Sequence, residues 1–337
     1  MKSIFVALIV FAALQCALSE RAAAQVGSAC RGQYGNINFP GTPPPWIFNC
    51  QPEGSYLVIC QAMTSACPPA AAAAETCPTC GAAAAGHPIS LASGNTYIVE
   101  SDIKVPGLSS GLKLVRIWNS MWPSTQSAFQ VGLFGPNWRS NYEERVFLGS
   151  DNYMKYARGD GSFWSFGANG SSLSVAAPAN VNATLSQGSS YWTIAFQNGE
   201  QRLFDNASGN LISIIDRNGN TTQLSYDAVG RLVTVTDPVS RHLYFSYANG
   251  SSLLVTGVSS DVGLSLTYAY DSQGRLTQVT EPDSSTLSFQ YNSQSLVTAV
   301  TDSNGKILES HTYDSSGRGL TSSQANGVNA LTISYTN

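Results

Sequence analysis

The chain has 337 residues, 17 basic and 21 acidic side chains, and a formal net charge of −4. Charged residues make up 11% of it, against about 25% in an ordinary globular domain, which excludes a coiled coil or a charged helical protein built on Glu, Lys and Arg. The basic residues form no cluster, so no nucleic-acid partner is expected. Its 6 Trp, 15 Tyr and 13 Phe supply enough apolar surface to exclude disorder throughout and suit an all-β protein.

Residues 1–24 read as a signal peptide. Lys2 provides the positive start, 4–14 an apolar run, and Ala22-Ala23-Ala24 a small-residue cleavage site before Gln25. Lipidation at Cys16 is disfavoured by the bulky Leu14 and Gln15 before it. The apolar run is too short to cross a bilayer, and no later stretch reaches about 18 apolar residues. The mature chain is therefore expected to be secreted or held at the cell surface, with no transmembrane segment after signal removal.

Residues 25–85 form a Cys/Pro/Ala-rich segment. Cys30, Cys50, Cys60, Cys67, Cys77 and Cys80 all fall here, and no cysteine lies beyond residue 80. An even number in an exported chain reads as disulfides, with all fifteen pairings open. Metal or redox chemistry at Cys77-Pro78-Thr79-Cys80 beside His87 is the weaker reading, because an oxidising compartment disfavours free thiolates.

Residues 86–203 are predicted to be a β module with hairpins. Asp160-Gly161 separates "YMKYAR" from "SFWSF", and Asn198-Gly199 separates "YWTIAFQ" from "EQRLF". Both pairs are two-residue hairpin turn signals.

From residue 204 an aromatic recurs at Phe204, Tyr226, Tyr247, Tyr270, Tyr291, Tyr313 and Tyr335, with spacings of 22, 21, 23, 21, 22 and 22. After the aromatic comes a turn such as Tyr226-Asp227-Ala228-Val229-Gly230, or Tyr270-Asp271-Ser272-Gln273-Gly274. Asp can bond its own turn backbone, and Gly accepts a positive φ. Strands "RLVTVTD" and "RLTQVTE" follow. A second turn, as at Asp302-Ser303-Asn304-Gly305, leads to a returning strand of period two, with Leu243, Phe245 and Tyr247 on one face. One unit puts Glu309 and His311 where apolar residues are expected. In the outgoing strand Leu232 and Val235, like Leu276 and Val279, stand three apart. Either a bulge re-aims one of each pair or both sheet faces are covered. Each unit of about 22 residues is thus a hairpin that buries its apolar face only by stacking on its neighbours. The predicted architecture is all-β: repeated antiparallel hairpins in a curved or spiral sheet.

The unit Tyr-Asp-x-x-Gly-Arg-Leu-x-x-Val-Thr-Asp resembles the YD repeat of bacterial RHS proteins, also found in animal teneurins. It stands complete at Tyr226, Asp227, Gly230 and Arg231, and again at Tyr270, Asp271, Gly274 and Arg275 with Glu281 for the last Asp. Tyr313, Asp314, Gly317 and Arg318 begin a third copy that departs at Gly319, while Tyr247, Tyr291 and Tyr335 mark looser ones. Residues 86–143, with "GHPISLASGNTYIVESDI", "LKLVRIWNS" and "FGPNWRSNYE", resemble the module that precedes these repeats in RHS proteins. The resemblance covers about residues 86–337. It implies an open part of a YD-repeat shell and, since many members are polymorphic toxins, a toxin domain as an enclosed partner. Six units are too few to close a shell, and the chain ends within the repeat rhythm. The expectation is a short RHS protein or the N-terminal part of a longer one, with no toxin activity assigned.

No catalytic residue, cofactor or metal is expected. His87, His242 and His311 read as ordinary strand or loop side chains, and the nucleophile motif GxSxG does not occur. Asp227, Asp237, Asp271, Asp302 and Asp314 recur at turns, where capping explains them. A glycoside hydrolase built on such carboxylates is the weakest reading. Trp118, Trp122, Trp138, Trp164 and Trp192 read first as core, and as sugar-stacking platforms if exposed. The expected function is an exported, non-catalytic RHS structural or interaction protein with a protein or glycan partner at the cell surface. A carbohydrate-binding surface protein is the alternative.

Overall fold

The computed structural model describes residues 48–53, 57–62, 84–85, 88–121, 131–149, 153–169, 172–177 and 181–335. The signal peptide, Cys30, Cys67, Cys77, Cys80, His87 and Trp122 lie outside the described residues. Cys50 and Cys60 lie in the strands Phe48–Glu53 and Leu57–Ala62, directly opposite each other in an antiparallel pair.

The body is β, as the composition predicts. Nineteen strands, from Arg145–Leu148 to Leu331–Thr332, form one antiparallel sheet in which every strand bonds its neighbour in sequence. Both two-residue turns join hairpins, Asp160-Gly161 between Met154–Ala157 and Phe163–Asn169, and Asn198-Gly199 between Tyr191–Phe196 and Gln201–Asp205. The sheet curves and does not close into a barrel. Its first seven strands curl far enough for Arg145 to form a bridge with Asn210, the first turn of a spiral.

The three-residue spacing of the outgoing strand has its cause in a bulge. Tyr226 pairs with Leu232 and Ser225 with Thr234, which leaves Val233 as the extra residue. Similar shifts recur just before Tyr247, Tyr270, Tyr291 and Tyr313. The bulge turns Leu232 to the same face as Val235, and the two are 2% and 0% exposed. Val255 with Val258, Leu276 with Val279 and Val297 with Val300 repeat the arrangement. Full burial of one such side chain contributes about 1.5–3 kcal/mol. The same apolar row therefore continues across the repeats. Charge is confined to the turns: of all strand residues from Thr221–Tyr226 to Leu331–Thr332, only Glu309 carries it.

A second, three-stranded sheet is made of Tyr97–Val105, Leu112–Asn119 and Trp138–Ser140. It packs on the apolar face of the large sheet, and residues of both share one core. Its first strand, with the residues just before and after it, runs across the repeats. Pro106 O accepts a bond from Arg241 at 2.9 Å, Asp102 one from Tyr268 at 2.7 Å, and Gly94 O one from the Gly319 N–H at 2.8 Å. Backward steps along this strand thus match forward steps along the repeats. The described residues of 88–121 and 131–149 cover the apolar face of the hairpins.

Candidate functional site

Two arrangements carry the polar chemistry: the joint between successive hairpins, and the seam between the two sheets.

At each joint the repeat tyrosine reaches back one hairpin. Tyr226 Oη donates to Leu211 O at 2.7 Å, Tyr247 to Leu232 O at 2.8 Å, Tyr270 to Val255 O at 2.7 Å and Tyr291 to Leu276 O at 2.7 Å. Tyr313 and Tyr335 do the same to Val297 and Gly319 at 2.6 and 2.7 Å. The bulge beside each tyrosine leaves a carbonyl that the next phenol satisfies, so Tyr serves where Phe would orphan a buried acceptor. Burial pushes the Tyr291 phenol up to about 12, which keeps it a donor.

Asp and Arg complete the joint. Asp227 Oδ1 accepts the backbone N–H of Val229 at 3.0 Å and of Arg231 at 2.9 Å, and Asp227 Oδ2 pairs with Arg231 Nε at 2.7 Å. Gly230 then takes φ +85°, which a β-carbon would oppose. Arg275 and Arg318 pair likewise with Asp271 and Asp314, at 2.6 and 2.7 Å. Each guanidinium lies over the tyrosine of the following repeat: Arg231 4.5 Å from the Tyr247 ring centre, Arg275 4.9 Å from Tyr291, Arg318 4.2 Å from Tyr335. Bonds from the Arg231 backbone N–H and side chain hold Asp227 below the usual carboxylate range. Burial opposes ionisation at Asp271 and Asp314, but the bonds from Arg275 and Arg318 outweigh it and lower both. Asp237 pairs with Arg241, and Asp302 caps its own turn through Asn304 and Lys306. The recurring aspartates are thus engaged as turn caps.

In the seam, Asp102 sits on a bulge of its strand, since Ser101 pairs with Val115 and Ile103 with Leu114. The bulge turns its carboxylate inward, where it takes two bonds from Arg116 and one from Tyr268 Oη. The Arg116 guanidinium, fully buried, lies 4.8 Å from the Trp138 ring centre, 5.4 Å from Tyr268 and 5.6 Å from Phe134. Burial disfavours its charge, yet Asp102 more than compensates and raises its pKa above the ordinary value. Opposite Arg116, Glu100 is pushed up to about 7, chiefly by burial. Arg116 pulls it down, and the carboxylates of Glu309, Asp102 and Glu281 add to the rise. His311 is 2% exposed, with Nε2 3.2 Å from Glu309 Oε2. The departure from apolar residues at 309 and 311 thus places polar groups in the seam.

Sequence reasoning missed Arg116, Asp102 and Tyr268. A signal for Arg116 was present: Leu112, Leu114, Arg116 and Trp118 alternate along one strand and so share one face. For the tryptophans the core reading holds, with Trp118 and Trp138 both 0% exposed, Trp164 buried and Trp192 half-buried. Trp118, Trp138 and Trp164 are therefore removed as sugar-stacking surfaces. His242 lies at the surface, its Nδ1 2.6 Å from Asp261 Oδ2.

A sheet of stacked hairpins, joined by the repeat tyrosines and, at Tyr226, Tyr270 and Tyr313, by an Asp-Gly-Arg turn as well, defines a YD-type repeat protein. Residues 206–241, 253–286 and 270–307 match the RHS Repeat family, and residues 86–166 match the family described as domain of unknown function DUF6531. The chain thus carries RHS repeats over residues 206–241 and 253–307. A comparison with curated proteins gave no match. Among solved structures, the Photorhabdus luminescens Tc holotoxin pore is similar at 13% identity and TM-score 0.31, over 56% of this chain and 12% of that one. TcdB2-TccC3 without its hypervariable C-terminal region is similar at 12% identity and TM-score 0.29, over 68% and 15%. TcdB2-TccC3 itself shows 14% identity and TM-score 0.28, over 68% and 15%. The chain therefore spans between 12% and 15% of the length of these chains.

Proposed function

We propose that this structural RHS protein acts as an exported, non-catalytic segment of a shell, with a protein partner and, in the manner of toxin-bearing members of the family, a toxin domain as its cargo. The observation that carries the reading is the joint itself. Asp227, Asp271 and Asp314 are bound by turn N–H groups and by arginine, with lowered rather than raised pKa values. A general acid wants the opposite shift. The polar groups of the repeat thus serve to hold hairpin to hairpin. The core shared by the two sheets, from Ile98 to Val300, covers one face of the segment and supports a structural role. No helix among the described residues is long and apolar enough to cross a membrane.

Export is tested by fractionating cells that express the natural reading frame. The mature chain, beginning at Gln25, is expected in the supernatant or on the cell surface, and a cytosolic chain with Met1 retained would refute it. Non-catalysis is tested on a panel of glycoside and ester substrates, with Asp227→Asn and Asp271→Asn in parallel. Turnover by the parent that these variants abolish would replace the scaffold reading with a hydrolase.

A further inference from the structure

Between the residue 107–111 loop and the turns of the early repeats lies a cavity of about 540 Å³, within the range of about 300–1,000 Å³ usual for small-molecule sites. Two features mark it. First, the loop at its edge holds three successive positive φ values, at Ser109 (51°), Ser110 (73°) and Gly111 (67°). Backbone of this kind is sparsely populated and is concentrated at ligand clamps. Second, its base is a preorganised charge network. Arg202 Nε bonds Glu144 Oε2 at 3.1 Å, Tyr156 Oη donates to the same oxygen at 2.7 Å, and Arg202 Nη1 pairs with Glu200.

The lining groups decide the chemistry of an occupant. Among the described residues no hydrogen bond engages Glu144 Oε1, Asn198 Nδ2, the Asn218 side-chain amide, Lys113 Nζ or the Arg217 guanidinium. They comprise one carboxylate acceptor, one side-chain amide that both donates and accepts, and three donors. Three cations (Lys113, Arg202, Arg217) face three anions (Glu144, Glu200, Asp216), so the lining is neutral overall. A multiply charged anion would meet the three carboxylates, and a polycation would meet the three bases. Hydroxyl groups donate and accept at once, and so match a wall of this kind. Ile214 adds one apolar patch for a C–H face.

We propose that this cavity binds a small neutral saccharide, a mono- or disaccharide, held by planar carboxylate, amide and guanidinium groups without aromatic stacking. The site is independent of the scaffold role and of the buried tryptophans. The test is saturation-transfer NMR on the intact chain with free glucose, galactose, N-acetylglucosamine and their disaccharides as probes, and with citrate and spermidine as charged probes. At least one neutral sugar is expected to be saturated. Lys113→Met and Asn218→Ala should each weaken it about tenfold, the loss of one well-placed hydrogen bond, with an unchanged thermal midpoint to show that the fold persists. Tyr191→Ala and Tyr244→Ala, exposed rings elsewhere, should leave it unaltered. Saturation of citrate or spermidine alone, silence from every probe, or loss of binding with the tyrosine variants only would each overturn the proposal.

Discussion

Tyr268 donates its hydroxyl to Asp102 across 166 residues of sequence, at 2.7 Å. That bond joins the two sheets at their most buried charge. Tyr268→Phe should cost about 1–3 kcal/mol, because it leaves a buried carboxylate short of one donor. Asp102→Asn should cost more, about 3–5 kcal/mol, because it strips Arg116 of its counter-charge. Urea unfolding of the two variants gives the order, and a smaller loss for Asp102→Asn would mean that the aromatic rings alone hold the guanidinium.

The joint tyrosines make a graded series. Tyr226→Phe and Tyr291→Phe should each destabilise by about 0.5–1.5 kcal/mol. The double variant should be additive, since the two joints share no partner. Phe204, fully buried with no hydroxyl to place, is the natural reference. Denaturation midpoints unaffected by either change would show that the Leu211 and Leu276 carbonyls find water instead.

Stability should depend on pH through Glu100. Its folded pKa of about 7 lies above the ordinary 4.5, so the folded chain holds a proton that the unfolded chain has released across that window. The contribution is present in full below about pH 4.5 and is lost as pH rises through about 7, with a size of about 1–3 kcal/mol for a carboxylate that keeps some contact with water. The turn aspartates act in the other sense, because their lowered values remove stability as pH falls through them. Chemical denaturation at a series of pH values should therefore show a decline between about pH 4.5 and 7 that Glu100→Gln flattens. An identical slope in the variant would assign the decline to another group.

Some turns carry serine where others carry glycine. Ser240, Ser284 and Ser295 hold φ of 63°, 68° and 62°, close to Gly230 at 85° and Gly274 at 73°. Ser240→Gly should stabilise by about 0.5–1 kcal/mol, the left-handed strain being relieved and partly offset by chain entropy. Gly230→Ala should destabilise by about 1 kcal/mol, from the backbone alone, because no atom lies within 4 Å of the added carbon. Thermal melts of this pair decide the sign.

Cys50 lies directly opposite Cys60, and such antiparallel positions set Cα atoms about 4.5 or 5.5 Å apart, within the span of a disulfide. Non-reducing peptide mapping of exported material should find this pair bridged first. A map that joins either residue to Cys30, Cys67, Cys77 or Cys80 instead would refute it.

The hairpins and their period were legible because turn chemistry is local. Asp227, Gly230 and the tyrosines announce themselves within one unit. The bulge at Val233 was legible only as one of two alternatives, since the three-residue spacing of Leu232 and Val235 fits either a bulge or two covered faces, and pairing with the strand before it makes the choice. The seam was hidden for a related reason. Arg116 shares a face with Leu112 and Leu114, but its partner reaches it only through a bulge at Asp102 and a tyrosine from a distant repeat. A charged residue in an apolar row is a clue to burial, yet its counter-charge belongs to the tertiary fold.

The strand Tyr97–Val105 crosses the hairpins as a batten crosses planks, fastened near Arg241, at Tyr268 and beside Gly319. Fastenings at fixed intervals count what they span. One hairpin inserted between Tyr268 and Gly319 would move the far fastening by two strand spacings, about 10 Å, while Gly94 is held to Asp102 by eight residues of chain and to Ser90 by its own turn. Repeat number is therefore fixed beneath this strand and unconstrained by it elsewhere, so that lengthening by duplication has its natural place outside the batten.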